Sequence, residues 1–550
     1  MIKDIIHDHL TGCLQKMGIS HEKEFTVEIP NNTEHGDYSS NCAMVLAKEN
    51  KKSPKSLAES IIKELKKNKN YKKIEIAGPG FINFYLAPSF FQKIFWDIRE
   101  AGQNYADADF GQGEKVLLEF VSANPTGPLN IVNARAAAFG DTLYRVMKKV
   151  GYLPSREFYV NDAGNQVDIL AESLELRLRE LHGENIGEFP YEAYHGDYVV
   201  HLAQKLNATE GVRIFMMTEK DRMDHLKEYA LNELLEMQRL SLERFDVTFE
   251  GWVSEKTLRA EGVVEEVLSY LTEADCTYEK DDAIWFASTK FGDDKDRVLM
   301  KSDGSITYFV PDLAYHLTKI QRGFDTLIDV LGPDHHGYVP RIKAAFQALG
   351  YDDKILEIIF LQQVNLFESG ERVKMSKRAG KIISMDDLIN VVGKDSARYF
   401  FIARKANAHL NFDLELAMQQ NNENPVYYCQ YAHARICSII KKAKKDKIWP
   451  KNFKQELLSK LNKTEELAII QKLSDLPELL TLIAIHREPH RLATYIEELA
   501  AMIHKYYARY QIVSTKSKEL SQARLMLLDT TKQVMAIVFN LMGISAPEKM

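Results

Sequence analysis

From Glu119 to Asp141 the chain reads EFVSANPTGPLNIVNARAAAFGD, a string with few ways to fold. An apolar run from Val116 to Val121 ends at Asn124-Pro125 and Gly127-Pro128, pairs that break regular structure, and passes into an Ala-rich segment. That order predicts strand, turn, helix. Val132, Ala136, Phe139, Leu143, Val146 and Val150 recur at steps of three and four, so one helix face packs inward, and Gly151 closes the helix. Asn130 and Asn133 stand one turn apart at its start. In a βα unit that position is expected to offer free backbone N–H groups and the positive end of the helix dipole to an anion, most often a phosphate.

A chain of 550 residues is too long for one ordinary domain and predicts two to four. Cys13, Cys42, Cys276, Cys429 and Cys437 are scattered without a Cys-x-x-Cys pair, which speaks against a disulfide scaffold or a thiolate zinc site and for the cytoplasm. The opening MIKDIIHDHL carries Asp4 and Asp8 within a short apolar pattern and is no signal peptide, and no later run is long enough to span a bilayer. A net charge of -7 speaks weakly against a polyanionic partner. Lysines nevertheless cluster at 48–55, at 63–73 and at 441–447, where a solvated face is the more frequent meaning of such a run.

Residues 1–110 have the pattern of a small α/β module: a helix over Ile5 to Met17, a strand near Phe25 to Ile29, a loop at His35-Gly36-Asp37-Tyr38, helices from Asn41 and Pro54, and a strand ending near Phe81. After the central unit, Glu157 to Val160 predicts a second buried strand, and the polar residues Asn161 to Gln166 at its end are site candidates, because open α/β sheets bind ligands beyond the carboxyl ends of their strands. Residues 166–295 are mainly amphipathic helix and suggest an insertion. The sheet is expected to resume at Ser305 to Val310, followed by a helix, a strand over Thr326 to Leu331, a loop at 332–338, a helix over Val339 to Leu349 and a strand over Ile358 to Val364. His335 and His336 do not make a metal pair, since adjacent side chains point apart and no third ligand lies at metal-site spacing. Lys374-Met375-Ser376-Lys377-Arg378 lies C-terminal to two βα units, where its cations can neutralise phosphate charge. From about residue 396 the pattern is helical to the end.

Several strings together resemble the arginyl-tRNA synthetases, a class I aminoacyl-tRNA synthetase family. SANPTGPL with a following helix and AxxGD is similar to its first signature region, where the next residues normally read His-x-Gly-His and here read Asn130-Ile131-Val132-Asn133. VKMSKRAG matches its second signature. HGDYSSN and AGPGFINFYL resemble its N-terminal additional domain, GPDHHGYVPR its nucleotide and amino-acid pocket, and NPVYYCQYAHARICSI with the closing GISAPEKM its helical anticodon-binding domain. The fold implied is α/β: a class I Rossmann-like parallel-sheet catalytic domain at 111–395 with the helical insertion at about 166–295, an N-terminal α/β additional domain at 1–110, and a C-terminal all-α helical bundle at 396–550.

The function implied is ligation of L-arginine to tRNA(Arg) through an arginyl-adenylate, with ATP as substrate, Mg2+ on its phosphates and no protein metal site. By the resemblance, Glu119, Ser122, Asn124, Tyr308 and Asp312 line the arginine pocket. Asn130, Asn133, His335, Lys374, Met375, Ser376 and Lys377 face ATP, with Lys374, Lys377, Asn130 and Asn133 in catalytic roles. Tyr38, Tyr428, Tyr431 and Arg435 meet tRNA. A monomer without membrane attachment is expected. The missing histidines keep a second reading open, a catalytically silent relative that retains only tRNA binding.

Overall fold

The computed structural model describes residues 2–19, 23–30, 32–373 and 383–550. In the N-terminal module α1 (Ile2–Lys16) and α2 (Pro54–Leu65) pack on four antiparallel strands, β1 (Val27–Glu28), β2 (Tyr38–Ser40), β3 (Tyr71–Ala77) and β4 (Phe81–Leu86), in the order β1-β2-β4-β3. The stretch ending near Phe81 is thus a hairpin, turned at Gly78 and Gly80, both at positive φ. The helix α3 (Pro88–Ala101) leads out of the module.

The central sheet has five parallel strands. It runs through β5 (Lys115–Glu119), α4 (Ile131–Lys149) and β6 (Leu153–Val160), then through α5 (Asn165–Leu181), α6 (Asp197–Thr209) and α7 (Glu219–Arg244) to β7 (Gly251–Ser254). A small antiparallel sheet of β8 (Thr277–Lys280), β9 (Ala283–Phe286) and β10 (Arg297–Met300) precedes α8 (Phe309–Gln321), β11 (Thr326–Leu331), α9 (Val339–Ala348) and β12 (Leu356–Phe360). Spatial order is β12-β11-β5-β6-β7. The chain therefore begins in mid-sheet, builds outward to β7, and then starts again on the other side of β5. The crevice between the carboxyl ends of β5 and β11 is the topological switch point, where ligands of such sheets bind.

Four expectations need correction. Ser305 to Val310 is not a strand: Thr307 donates its N–H to Leu299 O (2.8 Å), folding the segment back on β10, and α8 already starts at Phe309 with Pro311 in its first turn, where a missing N–H costs nothing. The range 166–295, mainly helical as expected, is not one insertion, since β7 belongs to the central sheet and β8 and β9 form a hairpin. Ile358 to Val364 divides between β12 and β13 (Val364–Glu368). Beyond residue 396 the pattern is not purely helical, because β15 (Leu410–Asp413) pairs parallel with β13, which β14 (Glu371–Arg372) joins from the other side. Short strands of this kind carry too few residues for an alternation to register.

Helices complete the chain: α10 (Lys394–Ile402), α11 (Pro425–Lys445), α12 (Thr464–Ser474), α13 (Leu476–His486), α14 (His490–Arg509) and α15 (Lys518–Leu541). One continuous apolar core runs from the N-terminal module through α4 into this bundle. A second core lies between α8, α9 and the small sheet, and a third holds α5, α6 and α7 together through Leu170, Leu174, Leu202 and Leu234.

Helix α4 lies very close to β5. A Cβ added at Gly140 would sit 2.3 Å from the ring of Phe120, which is fully buried and cannot yield. Gly140→Ala is expected to cost about 1–3 kcal/mol through overpacking, read as a lower thermal midpoint. Gly12→Ala, in α1 with open space around the new methyl, is the control and should not destabilise.

Candidate active site

Strand β5 ends on Glu119, and the chain then turns sharply. Val121 (φ +72°) and Ser122 (φ +35°) occupy the left-handed region, and Ser122 N–H donates to Phe120 O (3.0 Å), closing a three-residue turn. A β-branched residue held there costs on the order of 1–3 kcal/mol and persists only when its surroundings fix it. Here the Phe120 ring is wedged beneath Gly140, and Ser122 Oγ donates to Glu119 Oε1 (2.8 Å) while accepting from Tyr159 N–H (3.1 Å) on β6. The turn aims Ser122 and Glu119 together at the switch point.

Glu119 has a partner carboxylate. In the parallel ladder it is in register with Asp329 of β11, so the two side chains leave the same face of adjacent strands. Two like charges so placed repel, yet both are buried. The ammonium of Lys319 resolves this by donating to Glu119 Oε2 (2.5 Å) and Asp329 Oδ1 (3.0 Å), with its own side chain fully buried. Asp329 Oδ2 meets His316 Nε2 at 2.8 Å, and His316 Nδ1 meets the backbone oxygen of Asp312 at 2.8 Å and the Asp312 carboxylate at 3.5 Å. Both ring nitrogens face acceptors, so both must carry protons. Burial and Lys319 oppose that charge, but Asp329 and Asp312 outweigh them and push the His316 pKa up to about 10. Burial raises the pKa of Glu119, against the pull of Lys319, whereas Lys319 and His316 hold Asp329 below the ordinary carboxylate range despite burial. Glu119, His316 and Asp329 have donor atoms close enough for a metal ion, but the Lys319 ammonium already lies between the two carboxylates.

Asp312 sits in the first turn of α8, one turn after Tyr308, which is 73 % exposed and stands beside Gly164 at the end of β6. Asn124 is exposed and donates Nδ2 to Gln166 Oε1 (2.7 Å), joining the loop after β5 to the first turn of α5. Of the polar candidates after β6, Asp162 is committed elsewhere, accepting from Ser254 Oγ and Lys256 N–H. His335 is exposed in the loop after β11, and neighbouring His336 stacks on Phe360 at 3.7 Å.

At the start of α4 the two asparagines form a reciprocal capping box. Asn130 Oδ1 accepts from the N–H groups of Val132 (2.8 Å) and Asn133 (3.1 Å), and Asn133 Oδ1 accepts from Asn130 N–H (3.0 Å). This corrects the expectation that the helix start offers free amides, because the side chains consume those of Val132 and Asn133. The side-chain Nδ2 groups become the available donors, and among the described residues neither has a hydrogen-bond partner. Val132 packs against the main core instead of filling the crevice. Arg135, 1 % exposed, anchors the same helix by donating to the carbonyls of Gln362, Lys405 and Ala408. Lys374, Met375, Ser376 and Lys377 lie outside the described residues. Their C-terminal flank returns beside the asparagines, since Ser384 bridges Asn130 and Met385 N–H donates to Leu129 O (2.7 Å).

Residues 98–438 match the family described as tRNA synthetases class I (R), catalytic domain; residues 3–86 match the arginyl tRNA synthetase N terminal domain, and 429–550 the DALR anticodon binding domain. The arginine–tRNA ligase of Bacillus licheniformis is 45% identical over 554 residues, which span 100% of this chain and 99% of that protein. The chain belongs to the arginyl-tRNA synthetase family. The Bacillus subtilis arginine–tRNA ligase is 43% identical over 553 residues, spanning 100% of this chain and 99% of its own length. Among solved structures, a putative arginyl tRNA synthetase from Campylobacter jejuni shares 34% identity at a TM-score of 0.78, over 84% of this chain and all of its own. The Thermus thermophilus arginyl-tRNA synthetase, at 20% identity and a TM-score of 0.75 over 100% of both chains, shares the fold.

Within this arginyl-tRNA synthetase fold, the predicted tRNA residues fall in two places. Tyr38 is 1 % exposed, a core residue of the N-terminal module whose hydroxyl faces Gln471 (3.4 Å), so its ring has no face to offer RNA. Tyr428, Tyr431 and Arg435 lie together on α11 against α14. Tyr431 and His504 stack at 5.8 Å, Tyr428 lies 4.5 Å from the same imidazole, and the Arg435 guanidinium sits between Tyr431 (4.7 Å) and Tyr507 (4.8 Å). Sequence reading missed His316, Lys319 and Asp329. The available signal was Asp312, His316 and Lys319 at i, i+4 and i+7 of an otherwise apolar helix, three polar residues on one inward face.

Proposed function

We propose that the chain charges tRNA(Arg) with arginine at the crevice between β5 and β11. Arginine and ATP form arginyl-adenylate and pyrophosphate; a terminal ribose hydroxyl then attacks the acyl carbonyl, and AMP leaves. The observation that carries this reading is the convergence of Glu119, Ser122 and Asp312 on the switch point of a class I sheet, since planar carboxylates select a guanidinium by paired hydrogen bonds. Tyr308 closes the mouth and Asn124 its rim. The nucleotide lies toward α4, with Asn130 and Asn133 Nδ2 and His335 as donors. Lys374, Met375, Ser376 and Lys377 complete the ATP site, with Lys374 and Lys377 supplying charge for its phosphates, and Mg2+ arrives with ATP. Tyr428, Tyr431 and Arg435 offer tRNA a surface on the bundle. The protein works as a cytoplasmic monomer in three units, 1–110, 111–395 and 396–550. No described helix is long and apolar enough to cross a membrane.

The silent relative finds no support: 45% identity to an arginine–tRNA ligase extends through the whole chain. The asparagine pair explains how chemistry survives without the histidines. Nδ2 groups donate to phosphate as imidazoles would, though without positive charge. The test is aminoacylation of tRNA(Arg) by the purified wild type beside Asn133→Ala. The wild type is expected to be active, and Asn133→Ala slower by on the order of tenfold, having lost one donor and half of the capping box. A wild type that binds tRNA but forms no arginyl-tRNA would overturn the reading; a mutant as fast as wild type would remove Asn133 from the nucleotide site.

A further inference from the structure

Helix α8 carries Asp312, His316 and Lys319 on one face, and that face lies against the ends of β5 and β11. The result is an unbroken line of alternating charges: Glu119, Lys319, Asp329, His316, Asp312. Its three inner members are nearly inaccessible, with side-chain exposures of 0% for Lys319 and 3% for both Asp329 and His316. Its two ends are the carboxylates assigned to the arginine pocket.

We propose that Lys319, Asp329 and His316 are positioning residues of the arginine site, a buried charge line that fixes Glu119 and Asp312 relative to one another and tunes the pocket for a single cationic side chain. The inference rests on the arginine-pocket reading above. Its physical basis is the cost of isolated buried charge: each inner member is held by counter-charge on both sides, so displacement of one carboxylate is resisted along the line. Two cations set against three carboxylates leave one net negative charge, the complement of one guanidinium. A charge line with even balance would pay the desolvation of arginine without return. The surrounding groups leave this balance intact. Tyr315 donates to Glu157 (2.8 Å), and Arg322 pairs with that same carboxylate (2.5 Å), so the nearest further acid on β6 is already neutralised.

None of the three touches substrate in this arrangement, which separates their signature from that of Asp312. They act on arginine through the geometry of the two end carboxylates and should leave ATP unaffected, because the asparagine turn that faces ATP belongs to α4 and shares none of these hydrogen bonds.

The experiment compares arginine KM, ATP KM and kcat for the full-length wild type, Lys319→Met and the paired variant Lys319→Met with Asp329→Asn. The single change strands two carboxylates and endangers folding. The paired change removes one cation and one anion together, and so keeps the buried charge balanced while breaking the line. Folding of each protein is checked by its thermal melt. The expected result is that the paired variant folds and raises arginine KM about tenfold or more, with ATP KM within about twofold of wild type. A folded paired variant with wild-type arginine KM, or with kcat lowered and both KM values unchanged, would overturn the proposal. An inactive wild type would instead sink the underlying assignment of function, and so the two failures are distinguishable.

Discussion

Asp312→Ala is expected to raise the arginine KM by about a hundredfold or more and to leave tRNA(Arg) binding within about twofold of wild type. Removing one partner of a desolvated ion pair costs about 3–5 kcal/mol, and each 1.4 kcal/mol is tenfold. The lower end applies here, because the Asp312 side chain keeps 29% of its surface exposed and water screens part of the interaction. The fold should tolerate the change: His316 keeps the backbone oxygen of residue 312 and the Asp329 carboxylate as acceptors, so the buried imidazolium is not orphaned. Asp312→Asn separates charge from shape, since an amide fills the same space but is uncharged and offers one acceptor oxygen in place of the two that pair side by side with a guanidinium. Arginine saturation in aminoacylation assays measures the first effect, and filter binding of labelled tRNA the second. Normal arginine saturation in Asp312→Ala would take this residue out of the pocket.

Asp141→Ala is expected to lower the thermal midpoint by roughly 4 °C, because the unfolding entropy of a chain this long converts each kcal/mol into only about 1 °C. Asp141 is fully buried on α4 and accepts from Arg145 Nε (2.7 Å), Arg156 (2.8 Å) and Arg398 (2.6 Å). Arg398 has no surface exposure and also donates to the carbonyls of Phe245 (2.9 Å) and Met542 (2.7 Å). Burial lowers its pKa, opposed by Asp141. One carboxylate thus ties α4, β6, the end of the insertion, α10 and the C-terminal tail together. Its removal leaves buried guanidinium charge uncompensated, at a cost of about 3–5 kcal/mol out of a total stability of only about 5–15 kcal/mol. Gly543 belongs to the same device: a Cβ there would lie 2.3 Å from the Arg398 guanidinium carbon. A melt within about 1 °C of wild type for Asp141→Ala would show that water or a rearranged partner replaces the carboxylate.

The two predictions draw on different sources of information. Asp141 stands in the string AxxGD, visible in the sequence with Arg145 one turn on, but nothing local reveals that its other two partners are 15 and 257 positions away. Asp312 was assigned to the pocket through the family resemblance and not through any local pattern, since the preceding KSDGSITY is an ordinary polar loop. The capping box was half legible. Asn130 and Asn133 at i and i+3 are a helix-start signal, yet the same spacing read as an open anion site until the amides were found to be satisfied by the asparagines themselves. Tyr38 shows the opposite error, since an aromatic next to His35-Gly36-Asp37 reads as a surface feature and is in fact a core residue of the sheet.

By itself the sequence determined the order of βα units around residues 115–160 and 309–349, the helical end of the chain, and the strings that define its family. Those features depend on periodicity, caps and turn residues, which act over a few positions. Only the tertiary structure decided that β11 lies beside β5 and β7 beyond β6, that Glu119 and Asp329 share one face, and that Lys319, 200 positions from Glu119, separates their charges. Local pattern cannot supply this, because an ionisable side chain on an inward helix face is tolerable only if a distant strand brings it a counter-charge, and that pairing exists only once the chain has closed on itself.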